Sequence, residues 1–318
     1  VDTIAGGTGS DEFVFGSVAN AIGDSITDFV SADDQISVAL DYSALLSGVV
    51  VNGNRSSAGV EGNNAAEATL TGQRGEYVFD TTNNVLLVNV TADGSLSGSD
   101  YSIGVNAATT AANTIAAGDV NFVITGTDSA DTIVTGGGVD TISAGAGNDT
   151  ITGGAGADNI TGGTGADTLH LSGGDTVVDF AHGSGGDVID ISSTGNSAFT
   201  GSGSADVVLD SSTLNPLTAA ASLATPFTIT DGEVLSAATS TGTDFDEATE
   251  ILTLFGAAAT FEAVASGEEH TLLLTDGTNT AVWDIDDVGG TTSATLVATL
   301  SGVSDTDLTA FVDGNFIV

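Results

Sequence analysis

The chain of 318 residues has no cysteine and no methionine, and its only basic residues are Arg55 and Arg74. Without cysteine there are no disulfides and no thiolate metal sites, and three scattered histidines form no cluster for zinc or copper. Two positive charges against 43 acidic residues leave a formal charge of −41. That charge excludes nucleic acid and anionic membrane surfaces as partners. No long apolar run and no cleavable N-terminal signal are present, so direct membrane insertion is not expected. Catalytic signatures are missing too. There is no H-E-x-x-H, since 268-EEH lacks a second histidine, and no G-x-S-x-G, for which 99-SDYSIG is no substitute. No catalytic residue is therefore nominated, and the chain is not expected to be an enzyme. Only two prolines, Pro216 and Pro226, stand beside 44 glycines, as suits sheets joined by turns, and 41% apolar content argues against disorder.

What is present is a ladder. Asp131, Asp140, Asp149, Asp158 and Asp167 stand nine residues apart, each followed two residues later by Ile133, Ile142, Ile151, Ile160 or Leu169. The units read 126-GTDSADTIV, 135-TGGGVDTIS, 144-AGAGNDTIT, 153-GGAGADNIT and 162-GGTGADTLH. This is the calcium β-roll repeat, G-G-x-G-x-D-x-U-x, where U is a large aliphatic. Six residues of each unit are expected to form a turn and three a short strand. Two units complete a coil, so Ile133, Ile151 and Leu169 point inward from one sheet and Ile142 and Ile160 from the other. Glycine suits the turn because it tolerates conformations that a Cβ resists and lets the backbone approach an ion. Calcium takes six to eight oxygens in flexible geometry, and one loop of carbonyls plus a carboxylate supplies about half that shell. His170 reads as a solvated, outward histidine, and His182 as a neutral exposed one.

A second array opens the chain. Asp2-Thr3-Ile4 ends one unit and 6-GGTGSDEFV starts the next, with Asp11 nine residues after Asp2. Opening mid-repeat is what a fragment or a processed product is expected to show. The residues after each array also correspond: 24-DSITDFVSADDQISV and 175-DTVVDFAHGSGGDVIDIS share two aspartates four apart, a phenylalanine, an acidic loop and an apolar strand. Asp24, Asp28 and Asp34, and Asp175, Asp179 and Asp187, are candidate further ligands or ordinary loop aspartates. The two ends match as well. Strand-turn-strand patterns run through 77-YVFDTTNNVLLV and 271-TLLLTDGTNTAVW, each followed by an acidic loop and then by 115-IAAGDVNFVIT or 305-DTDLTAFVDGNFIV. Residues 247–265 carry Ile251, Leu254 and Phe255 at helical spacing, after a cap at Asp244 or Asp246 and with Glu250 in the first turn, and read as a buried helix. The stretches 41–76 and 192–245 carry no readable motif.

These residues resemble the RTX (repeats-in-toxin) proteins exported by Gram-negative type I secretion systems. The resemblance implies that carbonyls at repeat positions one and three face one ion, those at two and four another, and the position-six aspartate bridges both. Carried over, this implicates Asp2, Gly6, Gly7, Thr8, Gly9 and Asp11 in the first array. In the second it implicates Gly126, Asp128 and Asp131; Thr135, Gly136, Gly137, Gly138 and Asp140; Ala144, Gly145, Ala146, Gly147 and Asp149. Gly153, Gly154, Ala155, Gly156 and Asp158, then Gly162, Gly163, Thr164, Gly165 and Asp167, complete the set. Thr127, Ser129, Thr135 and Ala144 replace glycines, so the first coil is expected to bind weakly or to cap the roll. The resemblance also implies a terminal cap, and a C-terminal export signal at Asp313 and Phe316-Ile317-Val318.

The expected fold is mainly all-β: parallel calcium-binding β-rolls with β-sandwich-like caps, in two modules at 1–125 and 126–318. The expected function is a calcium-dependent structural protein of the cell surface. It would pass the type I secretion apparatus unfolded, fold on meeting extracellular calcium, and assemble as a homo-oligomeric lattice or filament. The alternative is the C-terminal region of an RTX adhesin or RTX hydrolase whose active part lies upstream.

Overall fold

The computed structural model describes residues 1–31, 33–52, 73–91, 99–107, 115–190, 234–238, 269–275, 278–288, 291–304, 307 and 315–317. The helix read at 247–265, most of 192–245 and Asp313 lie outside them. Two compact units are formed, Val1–Asp158 and Asn159–Val318.

In the first unit the strands are β1 (Thr3–Ile4), β2 (Glu12–Phe15), β3 (Ser25–Phe29), β4 (Gln35–Asp41), β5 (Val50–Asn52), β6 (Tyr77–Asp80), β7 (Val85–Val88), β8 (Tyr101–Ala107), β9 (Val120–Thr125), β10 (Thr132–Gly137), β11 (Thr141–Ala146) and β12 (Thr150–Ala155). A short helical turn, α1 (Val18–Ala21), follows β2. The repeat strands pair in parallel at the eighteen-residue spacing, with Thr132 opposite Thr150 and Ile133 opposite Ile151. They run six residues rather than three. Positions one to three of the next unit continue the ladder, as Gly136 opposite Gly154 shows, so the true turn is shorter than the sequence pattern suggests.

Inward side chains form columns. Leu40, Ile124 and Ile142 are successive register partners in β4, β9 and β11, and Val51, Ile133 and Ile151 in β5, β10 and β12. All six are at most 1% exposed. Each such burial is worth about 1.5–3 kcal/mol, which is what stacks one coil on the next. The sequence repeat divides at 125/126, yet β9, read as part of the first cap, lies between β4 and β11 in one parallel sheet. The two arrays thus share a sheet, because β9 supplies an aliphatic at the height the column needs.

A second sheet of this unit runs β1-β3-β8-β7-β6. The expected hairpin is present: β6 and β7 pair antiparallel across a turn in which Asn84 adopts φ 55°. Tyr101 joins the layers, its hydroxyl 2.7 Å from the Ala39 carbonyl and 3.1 Å from that of Phe15. Tyr77 packs on Phe122 with ring centroids 5.8 Å apart.

The second unit contains β13 (Asn159–Thr164), β14 (Thr168–His170), β15 (Asp175–Val177), β16 (Val188–Asp190), β17 (Val234–Ala238), β18 (Glu269–Thr275), β19 (Thr280–Val288), β20 (Thr291–Leu300) and β21 (Phe316–Ile317). Its columns are Ile160, Val177 and Leu300, and Leu169, Ile189 and Phe316. Here the closing strands carry the repeat's own columns onward: β20 and β21 are parallel neighbours of β15 and β16. The expected pair β18–β19 is antiparallel, and β20 adds to it. Where an acidic loop was expected, β19 continues as strand through Asp286 and Asp287.

Candidate metal centre

The glycines of the turns divide into two kinds. At positions two and four φ is positive throughout: 104° and 108° at Gly136 and Gly138, 94° and 130° at Gly154 and Gly156, 103° and 118° at Gly7 and Gly9. A Cβ on Gly154 or Gly156 would overlap the carbonyl oxygen of Gly136 or Gly138 in the coil below. Position one has another reason for glycine. A Cβ on Gly6 or Gly126 would come to 2.5 Å from Oδ2 of Asp11 or Asp131, and Gly153 and Gly162 are in the same relation to Asp158 and Asp167. The aspartate of each turn folds back over its own first residue.

The aspartates form a ladder of their own, which the repeat pattern did not disclose. Oδ1 of Asp140 accepts from the Phe122 N–H at 2.6 Å, Oδ1 of Asp149 from Asp131 N–H at 2.7 Å, and Oδ1 of Asp158 from Asp140 N–H at 2.8 Å. Each carboxylate thus reaches back one coil. The flanking aspartates belong to the same system. Asp24 and Asp34 accept from Asp2 and Asp11 N–H, and Asp187 from Asp167 N–H. Asp28 takes the paired N–H groups of Gly6 and Gly7, and Asp179 those of Gly162 and Gly163, at 2.8–3.0 Å. Asp175 accepts from Ser172 N–H. The modules close a last turn alike through Asp28 and Asp179 and through Asp34 and Asp187, whereas the Asp175 bond to Ser172 is local and unlike that of Asp24.

The other carboxylate oxygen faces inward. Oδ2 of Asp140 and of Asp11 are sealed from solvent and have no hydrogen-bond partner. Asp131, Asp140, Asp149, Asp158 and Asp167 are each at most 2% exposed. Burial, opposed only in part by the Phe122 N–H and reinforced by the charge of Asp158, pushes the Asp140 carboxyl up to about 7. Burial also raises Asp149 and Asp187. A buried carboxylate without a counter-charge is costly, and both arginines of the chain lie outside the repeats.

A hard cation resolves this cost. Among the described residues no three His, Cys, Asp or Glu side chains converge on one point, so any ion here is held chiefly by carbonyl oxygens, with one aspartate per turn. That donor set suits calcium and not zinc or copper. Between the turns 135–140 and 153–158, the Gly136 and Gly138 carbonyls lie against Gly154 and Gly156, and Asp140 N–H donates to Asp158. The residues fit the ion. Asp128 is exposed and stands apart from the buried aspartate column. The first turn differs, because Asp131 is fully engaged: Oδ2 accepts from Thr127 N–H at 2.7 Å, and Oδ1 accepts from Val49 N–H at 2.6 Å with the Thr127 hydroxyl 2.9 Å away. Thr135 also departs from the pattern, its hydroxyl donating to the Gly153 carbonyl at 2.5 Å.

His170 is not the solvated residue expected. It is half-buried beside β16, with Nδ1 3.3 Å from Asp190 Oδ2, because β14 and β16 pair in register and bring the two side chains to one height. His182 Nε2 is 3.3 Å from Asp307 Oδ1. The same loop is held by Asn315, fully buried, which accepts from Gly183 N–H at 2.9 Å and donates to the Asp187 carbonyl at 2.6 Å. Asn315 was missed because nothing in 305-DTDLTAFVDGNFIV distinguishes it from an ordinary turn asparagine.

Comparison with known protein families picks out the same turns. A family model described as the RTX calcium-binding nonapeptide repeat (4 copies) matches residues 123–151, 143–178 and 152–189. Among solved structures, one similar chain is a subunit of the mannuronan C5-epimerase of Azotobacter vinelandii, studied in solution. It is 22% identical, with a TM-score of 0.31 over 63% of this chain and 79% of that one. No curated protein matches. Residues 123–189 are thus matched as an array of RTX calcium-binding nonapeptide repeats, whose cofactor is calcium, and the described residues are nearly all β.

Proposed function

We propose that this chain is a calcium-dependent structural protein of the cell surface, non-catalytic, that folds outside the cell and assembles with copies of itself. The observation that carries the reading is the buried Asp140 carboxylate, its Oδ2 without a partner, in a chain of net charge −41. Extracellular calcium modules bind at about 10⁻⁴ to 10⁻³ M, so a cytosol poor in calcium leaves the turns empty. Self-repulsion and chain entropy then oppose folding, and the chain stays threadable for type I export. RTX repeats are typical of secreted proteins, and among the described residues no helix is long and apolar enough to cross a membrane.

When bound, calcium supplies positive charge and cross-links adjacent turns. Gly153, Ala155, Asp158, Gly136, Gly138 and Asp140 would hold it, and the Asp ladder would keep each carboxylate aimed at the ion. At ten to a hundred times its dissociation constant, each independent site contributes about 1.4–2.7 kcal/mol. Several such sites decide whether the unit folds.

Electron microscopy and analytical ultracentrifugation with calcium and with chelator test the reading. Ordered sheets or fibres that form only with calcium support it. A folded chain that stays monomeric at high concentration in calcium overturns assembly in favour of an adhesin or hydrolase tail.

A further inference from the structure

The turns of the array are not equivalent in hydrogen bonding, and the difference between the first two lies chiefly in one residue. Given the calcium reading above, the residue that matters is Thr127, which stands where the repeat has a position-two glycine.

Asp131 and Asp140 occupy the same place in successive units but have different surroundings. Asp140 offers a sealed Oδ2 with no hydrogen-bond partner. Both oxygens of Asp131 are occupied: Oδ2 by Thr127 N–H, Oδ1 by Val49 N–H and the nearby Thr127 hydroxyl. That hydroxyl also accepts from Ser129 N–H at 3.1 Å and lies 3.0 Å from the Ser129 carbonyl, which pins the turn around itself. The Thr127 carbonyl, a position-two donor, accepts from Ala146 N–H at 3.1 Å. On its other flank the turn meets Gly48 and Val49, where a Cβ on Gly48 would overlap the Ala130 carbonyl. Thr132 N–H donates to the Val49 carbonyl at 2.9 Å, so the 48–49 segment is laid along the turn and fills the side where a further coil would stack.

We propose that the turn 126–131 is an ion-free lock. The Thr127 N–H and hydroxyl take the place calcium holds in the later turns, whereas Val49 N–H on Oδ1 is the rung that Asp140, Asp149 and Asp158 also have, so the gap between 126–131 and 144–149 binds no calcium of its own. The chain then begins its ion column at the turn 135–140. The lock would give the first unit one calcium-independent turn on which the calcium-dependent coils stack. It is built from a threonine hydroxyl and a threonine N–H, on a turn whose ladder rung comes from a distant loop.

The experiment counts ions. Isothermal titration calorimetry of calcium into the full chain, with terbium luminescence as a second count, compares wild type with Thr127→Gly, Thr127→Ser, Asp131→Asn and Asp140→Asn. Thr127→Gly removes the hydroxyl and restores the repeat, and is expected to raise the stoichiometry by one ion. Thr127→Ser keeps the hydroxyl and leaves the count unchanged. Asp131→Asn also leaves it unchanged, whereas Asp140→Asn lowers it. The lock is overturned if Thr127→Gly, folded in calcium by circular dichroism, binds no additional ion, or if Asp131→Asn loses one as Asp140→Asn does. If Thr127→Gly does not fold, the comparison of Asp131→Asn with Asp140→Asn decides alone. A wild-type chain that binds no calcium would instead sink the reading on which the lock rests.

Discussion

Replacing Asp140 by asparagine should change stability in opposite directions with and without calcium. In the ion-free chain Asp140 is buried, its Oδ2 has no partner, and its carboxyl is pushed up to about 7 from 3.8. At about 1.36 kcal/mol per pH unit, an ionised Asp140 costs the folded ion-free state about 4 kcal/mol at about pH 8. Asparagine keeps an oxygen for the Phe122 N–H and removes the charge, so it should recover much of that cost. With calcium bound the same substitution removes a charged ligand and forfeits one site's share, about 1.4–2.7 kcal/mol. The assay is a pair of titrations at about pH 8: folding by a protecting osmolyte in excess chelator, which favours the compact state of a chain otherwise unfolded, and urea unfolding in millimolar calcium. Asp140→Asn should fold at lower osmolyte concentration than wild type, yet unfold at lower urea. A variant that is harder to fold in chelator, or as resistant as wild type in calcium, would refute the electrostatic account of the column.

Acid should partly substitute for calcium. Because burial raises Asp140, Asp149 and Asp187 above their unfolded value of 3.8, the folded ion-free chain binds more protons than the unfolded one between about pH 4 and 7. Its stability therefore rises as pH falls through that window and is lost as pH rises through the folded values; circular dichroism in chelator against pH should show it, and a flat profile would contradict it. Gly156→Ala puts a Cβ against the Gly138 carbonyl at φ 130°, and should cost several kcal/mol, of the order found for other strained or overpacked sites. Thermal denaturation in calcium reads this out. Asn315→Ala strips the 183–187 loop of its buried amide and leaves polar partners unsatisfied, at about 1–3 kcal/mol each. Its melting temperature should fall even at saturating calcium, and an unchanged value would mean the clamp is idle.

The repeat carried the roll on its face because nine-residue spacing fixes both the inward aliphatics and the aspartate heights. Ile133 and Ile151 meet in register for that reason alone. What the spacing could not disclose is pairing between segments that share no period. Val51 and Leu40 lie outside any repeat, yet they extend the two columns of the first unit, and β9 was read as part of a cap because its 115-IAAGDVNFVIT matched another terminal strand. The candidate site was legible to the level of turns and carboxylates. Thr127 showed as a departure from glycine, and only the three-dimensional placement of its N–H and hydroxyl on Asp131 gave that departure a role. Val49, 82 residues away in sequence, had no signal at all.

Each aspartate reaches backward, from its own coil to an amide one coil nearer the N-terminus, and this gives the column a direction that a stack of equal sheets lacks. Removing a coil from the C-terminal side takes away the acceptor and leaves a buried N–H with nothing to bond, as Asp140 N–H would be without Asp158. A coil removed from the N-terminal side only frees a carboxylate, which water or an ion readily satisfies. Damage to the roll is thus unequal at its two ends. A nick or truncation should propagate toward the N-terminus, rung by rung, and stop where a donor such as Val49 N–H comes from outside the repeat.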